Sequence, residues 1–253
     1  MKSKKEMLCA AVTALFFVSC AETFTESYHI QGSSSVSLLD GSKLYLRVMT
    51  DGTMQNIDSC EVVHGAFSFT GRLDTTRMAI LSVREGGIPV VIERGDINVT
   101  IDRMANKVSG TPLNELLYDY VDKHIQLENQ IGELGHKEAQ MILDGIDEQT
   151  IAQKLTIEHQ RLLQQTDSLE TRFILDNLDN VLGPYAFQML TSTYRYPVLT
   201  PQIEEIMGKA TDTFKKDPYV SQYYQQAKDI LARMRGEIPN DSATLAAPQP
   251  QQP

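Results

Sequence analysis

The sequence predicts an α+β protein: an N-terminal antiparallel β-sandwich over 28–110, followed by a helical region over 111–236 built around a long helical hairpin. Three observations predict it. Before residue 110, short runs alternate apolar and polar side chains, as in Ile97, Val99 and Ile101 against Asn98, Thr100 and Asp102. At Gly110-Thr111-Pro112 the period changes, and beyond it apolar residues recur at spacings of three and four. Gly-containing turn signals are frequent between the alternating runs and sparse after them.

Ahead of the strands, residues 1–19 carry Lys2, Lys4 and Lys5, an apolar run from Leu8 to Val18, and Ser19 directly before Cys20. A basic start, a short apolar stretch and a small residue before cysteine form a secretory signal of the lipoprotein kind, cut so that Cys20 becomes the lipidated first residue. An apolar run of about a dozen residues is well short of the roughly 20 needed to span a bilayer, so the expected anchor is lipid alone. Residues 20–27 are the lipidated tether. From Cys20 to Tyr28 the chain extends to about 27 Å at most, which keeps the folded part close to the membrane. The pattern resembles that of bacterial lipoproteins, with Phe17 where they more often carry Leu. Ala21, in place of Asp, is compatible in them with the outer membrane, so the resemblance implies a lipid-anchored cell-envelope protein facing the periplasm.

Among the strands, Phe67 and Phe69 alternate with Ser68 and Thr70 and are expected to be buried. Asp51-Gly52, between Leu44–Thr50 and Met54–Val63, is a type I′ hairpin signal because both residues tolerate positive φ. His64-Gly65, Gly86-Gly87 and Gly95-Asp96 punctuate the following strands in the same way. Connections this short predict antiparallel neighbours.

Thr111 suits an N-cap and Pro112 the first helical position. The stripe Leu113, Leu116, Leu117, Tyr120, Val121, His124 and Ile125 then faces a core or another helix, with Gly132 and Gly135 marking a break. A longer helix is expected from Asp147 towards Asn180, with Ile151, Leu155, Leu162, Leu169 and Phe173 on one side and 112–134 folded back on it. Further helices are predicted at 184–193, 200–214 and 218–235. Residues 237–253, rich in Pro, Gln, Ala and Ser, are expected to be a disordered tail.

Composition excludes several classes. Residues 1–19 hold three lysines and Glu6, so without them the formal charge moves from −10 to −12. A phosphate backbone needs a basic face, which makes nucleic acid an unsuitable partner. Of three cysteines, Cys9 leaves with the signal and Cys20 takes lipid, so Cys60 is left as the one free thiol, without a disulfide, a Cys-x-x-Cys pair or a cysteine zinc cluster. Cys60 shares a strand face with Val62 and reads as a buried filler, with a reactive thiol as the alternative. The five histidines, His29, His64, His124, His136 and His159, show no metal-ligand spacing. Asp176 to Asn180 reads as helix-end capping. Ser33 to Ser35 lack the surroundings of a nucleophile elbow, and Gly86-Gly87 lacks the lysine of a phosphate loop. No catalytic, cofactor-binding or metal-binding residues are assigned. The aromatic group Tyr185, Phe187, Tyr194, Tyr196, Tyr219, Tyr223 and Tyr224 reads as packing of short helices, with a contact surface as the alternative.

Read together, Tyr28 to Gly32, Lys43 to Leu46, Ile57 to Ser59, His64 to Gly71, Ile92 to Asp96 and Val108 to Asn114 resemble a known family. It is the N-terminal domain of unknown function, domain of unknown function 4369, that usually precedes a thioredoxin-like domain in Bacteroidota envelope lipoproteins. Asn177 to Gly183 is similar to the segment that links the two parts. The expected thioredoxin-like start near Gly236 is replaced here by the Pro/Gln tail. The resemblance therefore implies fold, envelope location and a non-catalytic binding role, and it supplies no catalytic residues. The expected function is a non-catalytic, lipid-anchored interaction module for an envelope protein partner. An accessory to thiol–disulfide exchange acting through Cys60 or a separate thioredoxin-like partner, and a small-molecule or glycan binder, are the alternatives.

Overall fold

Alternation resolves into eight strands in the computed structural model, which describes residues 27–50, 52–84 and 86–237. They are β1 (Ser27–Ser34), β2 (Lys43–Thr50), β3 (Thr53–Glu61), β4 (Ala66–Arg72), β5 (Arg77–Val83), β6 (Gly86–Ile92), β7 (Gly95–Ile101) and β8 (Lys107–Ser109). The signal, Cys20, the tether up to residue 26 and the tail from residue 238 lie outside the described residues. Two four-stranded sheets, in the orders β4-β1-β7-β8 and β3-β2-β5-β6, face each other. Their inward residues, Ile30, Leu44, Leu46, Ile97 and Val99 among them, form one core that includes Phe67 and Phe69.

Short hairpins make most neighbours antiparallel, but β1 and β7 pair in parallel, Tyr28 opposite Gly95 through to Ser34 opposite Ile101. The cause is topological. The β6–β7 connection at Glu93-Arg94 crosses between sheets, so its shortness imposes no pairing. The expected His64-Gly65 turn is present, with both residues at positive φ (52° and 75°) between the bridged Val63 and Ala66. The Gly86-Gly87 turn is not. Both glycines belong to β6 and pair with Val83 and Ser82, and Arg84, before them, takes φ 53°.

Six helices follow: α1 (Pro112–Leu143), α2 (Glu148–Asp176), α3 (Leu182–Ser192), α4 (Pro201–Lys209), α5 (Asp212–Lys216) and α6 (Pro218–Met234). Gly132 and Gly135 do not break α1, because both are exposed and the continuing seam with α2 outweighs their low propensity of about 1 kcal/mol each. α1 therefore extends the expected 112–134 arm to Leu143. That seam has a seven-residue period, with Leu117, His124 and Ile131 in one row and Tyr120, Leu127, Leu134 and Met141 in the other, all buried or half-buried. Asp147 caps α2 by accepting from Thr150 N–H at 3.0 Å. α2 stops at Asp176, where Asn177 and Asn180 cap the turn. Asn177 Nδ2 donates to Phe173 O, and Leu182 N–H donates to Asn180 Oδ1, each at 2.8 Å. The expected 200–214 helix is split at Ala210-Thr211, since Thr211 starts α5 by capping Phe214 N–H.

The helices make a second core of their own around Phe187, Phe214, Ile203, Ile206 and Tyr223. The two cores are joined, because Leu117, Tyr118 and Leu182 belong to the sandwich core. Ser27, Arg72, Ile92 and Gly95 all lie at one end of the sandwich, and α1 starts there: a Cβ on Gly110 would stand 2.4 Å from Asp96 O. Asn114 then meets Val91 and Tyr118 meets Pro89, so α1 runs from the Ser27 end towards the opposite end. At 1.5 Å per residue α1 is about 48 Å long against about 23 Å for β6, so its distal half extends past the strands.

Candidate functional site

The site with the most built-in geometry is the joint between β6 and α1. β6 is an edge strand, and Pro89 within its apolar run Ile88 to Ile92 fits that position because it has no N–H to leave unpaired. Its outward backbone groups at Pro89 and Val91 are taken up by side chains of α1. Asn114, fully buried, accepts from Val91 N–H at 2.9 Å and donates to Val91 O at 2.8 Å, as a neighbouring strand would. Its second amide hydrogen goes to Thr111 Oγ1 at 2.8 Å. Tyr118 donates its hydroxyl to Pro89 O at 3.1 Å, and burial, with Tyr185 and Asp122 nearby, raises its pKa well above the ordinary phenol value, so it stays a donor. Thr111 occupies the N-cap position without capping by its own side chain. The cap comes from Glu93 at the end of β6, whose buried carboxylate accepts from Leu113 and Asn114 N–H at 2.8 and 3.2 Å. Glu115 closes the turn by accepting from Gly110 N–H at 2.8 Å. Every polar group of the joint is thus matched, which fixes where α1 leaves the sandwich.

Nearly two turns beyond Tyr118, α1, α2 and α4 meet at a second polar cluster. His124 lies 3.0 Å from Glu170 Oε1 through Nε2 and 3.5 Å from Glu128 through Nδ1. Gln202 of α4 reaches Glu170, Thr171 and the Asp167 carbonyl at 3.1–3.3 Å. Tyr120 stacks on Phe173 with ring centroids 4.1 Å apart beneath this cluster. Beyond it the helices run on as a two-helix arm, bridged by the Lys137–Glu158 ion pair. Chemically the cluster is a clasp, and among the described residues no group of three or more His, Cys, Asp or Glu side chains is placed to hold a metal ion.

Residues marked in the sequence are scattered. His29 lies 3.4 Å from Asp96 on a sheet face, His64 is in its turn, and His136 and His159 are exposed on the arm. Cys60 is half-buried on the edge strand β3 and packs against the sandwich core, and burial pushes its thiol up to about 11. Such a thiol is protonated near neutral pH, the opposite of an activated nucleophile. Ser35 donates to Asp102 at 2.6 Å, a loop contact. In the aromatic group, Phe187 and Tyr223 are buried and meet edge to face with centroids 5.6 Å apart, so their use is packing. Tyr196 is exposed. Cys20 lies outside the described residues. Glu93 and Asn114 are the partners that the sequence does not pair; Pro89, as the mark of an edge strand, is the signal that could have found them.

Residues 28–117 match the family described as a domain of unknown function (DUF4369). The match covers the strands and the first turns of α1 and ends at Leu117, which is fully buried against the sandwich. No curated protein and no solved structure matches the chain. No helix among the described residues is long and apolar enough to cross a membrane.

Proposed function

We propose that the protein is a non-catalytic, lipid-anchored module of the cell envelope, held at the outer membrane by Cys20 and facing the periplasm, that presents its helices to a protein partner. The Lys, apolar, Ser19-Cys20 order of the opening residues supports the anchor. The observation that carries the presenting role is the joint: α1 is clasped at the end of the sandwich where β1 begins, and from there runs away from that end. A lipid on Cys20, seven residues before Ser27, would therefore lie at the root of the arm and leave its tip facing outward. The raised thiol of Cys60 speaks against the thiol-exchange alternative.

Fractionation of cells expressing Cys20→Ala tests the anchor. The expected outcome is a folded protein that leaves the membrane fraction, because about 0.8 kcal/mol per buried methylene is lost with the acyl chains. A variant that still pellets with membranes after a high-salt wash removes the anchor reading. Pull-down from native envelopes, with a body truncated at the arm tip as the control, tests the presenting role. Equal recovery of the same proteins by both would remove it.

A further inference from the structure

We infer that the Ser27 end of the sandwich is a lipid-contact surface, which lies on the headgroups of the same bilayer that holds the anchor. The inference rests on the anchor at Cys20 and adds a second point of contact to it. Strand pairing brings the parts of this surface together. Arg77 lies opposite Ile92 and Ala79 opposite Val48, so the β2–β3 hairpin turns at the end where β1 begins. Met49 and Met54 face each other across that hairpin beside its turn, and they are 49 and 36% exposed. Leu46 and Val48 point into the core, so Arg47 and Met49 share the outward face of the sheet. Arg47 stands one pleat behind Met49, about 7 Å further from the end, and its Nε donates to Asn56 Oδ1 at 2.9 Å. An apolar tip with a guanidinium one pleat behind it suits a membrane interface: the thioethers enter between headgroups while the cation stays at the phosphates.

The exit of the tether carries further cations. β1 runs between β4 and β7, with Ser27 opposite Arg72 and Tyr28 opposite Gly95, the residue after Arg94. Both arginines are exposed, one on each side of the strand that leads to the lipid. Among the described acids of this end, Glu93 and Glu115 bond the backbone at the start of α1, Asp74 lies 3.8 Å from Arg77, and Asp96 lies 3.4 Å from His29. What selects a bilayer as the occupant is where the chain leads. From Cys20 to Tyr28 it extends to about 27 Å at most, and any shorter path brings this end onto the headgroups. Charge sets the same orientation. Residues 112–176 hold 13 acidic and 5 basic side chains, against 9 and 8 in residues 27–111, so an anionic surface repels the arm far more than the sandwich. The arginines and methionines lie at the root, and the acidic hairpin runs away from it.

Fluorescence quenching in lipid nanodiscs tests this. The full lipidated chain carries Cys60→Ser, so that Met54→Cys or Leu38→Cys supplies the one thiol for a fluorophore. The discs contain phosphatidylethanolamine and phosphatidylglycerol with acyl chains brominated near the headgroup. Leu38, 66% exposed in the segment after β1, reports the opposite end of the sandwich. Quenching at position 54 is expected to be several-fold stronger than at position 38, and Arg72→Glu combined with Arg94→Glu is expected to lower it several-fold. A chain that migrates with the discs yet is quenched equally at both positions, or a double variant quenched as strongly as its parent, would overturn the inference and leave the anchor standing. A chain that does not migrate with the discs would overturn the anchor and the inference with it.

Discussion

The two ends of α1 are held by different physics. At its root Asn114, Leu117, Tyr118 and Tyr120 are all buried, the backbone N–H groups of Leu113 and Asn114 in the first turn are capped from another element, and Leu117 and Tyr118 belong to the sandwich core. Twenty residues later the same helix touches only α2, and its seam residues Leu127, Ile131 and Leu134 are half-exposed. The root is tertiary structure, whereas the arm depends on helix propensity and a narrow seam, so the free energy of local opening should fall along one continuous helix.

The comparison is sharpest between two positions in the same row of the seam. Leu117→Ala should cost about 3–5 kcal/mol in a denaturant melt, and Phe69→Ala in the adjoining sandwich should match it. Either value under about 1 kcal/mol would show that the root is not part of the sandwich core. Asn114→Ala should cost about 2–4 kcal/mol, because it leaves both backbone groups of Val91 without partners in a buried site. Retention of full stability there would mean that water replaces the amide and that the joint is not closed. Ile131→Ala, half-exposed on the arm, should cost about 1 kcal/mol, and its effect should appear in amide exchange of 125–160 and not in exchange of the strands. Loss of protection in both regions together would erase the distinction between root and arm.

Cys60 offers a smaller effect, confined to alkaline pH. Its folded pKa is raised, so the stability it contributes is complete below the unfolded value of about 8.5 and is lost as pH rises towards about 11. Alkylation of the folded protein should be slow at pH 7–8 and quicken over that alkaline window. Rapid modification at pH 7, at the rate of an exposed peptide thiol, would reveal an opening of the β3 edge that the packing of Cys60 does not predict.

Much of this was readable from residue order. Phe67 and Phe69 announce their burial by alternation, Asp147, Thr111 and Pro112 announce helix starts, and the spacing of Leu117, Tyr120 and His124 announces a hairpin. What failed was everything decided by partners distant in sequence. Gly132 and Gly135 read as a break because propensity is local, while the seam that carries α1 through them lies on α2. The parallel pairing of β1 with β7 was invisible for the same reason, since those strands are separated by an entire second sheet. Glu93 and Asn114 are ordinary polar residues until the fold brings a strand edge and a helix start together.

Closure of β6 by Asn114 and Tyr118 also guards against aggregation. Ile88-Pro89-Val90-Val91-Ile92 is an apolar, β-prone edge segment whose outward Val91 amide and carbonyl could template a foreign strand if left open. Proline removes one donor, Tyr118 takes the Pro89 carbonyl and Asn114 takes both groups of Val91, so this segment is sealed by side chains belonging to the next element of the chain. A protein shortened to end at residue 110 would keep all eight strands yet lose this seal, and it should precipitate or pair edge to edge, whereas one that reaches past Tyr118 should not. The boundary of the soluble unit is therefore set by what covers the sheet, about two helical turns beyond the last strand.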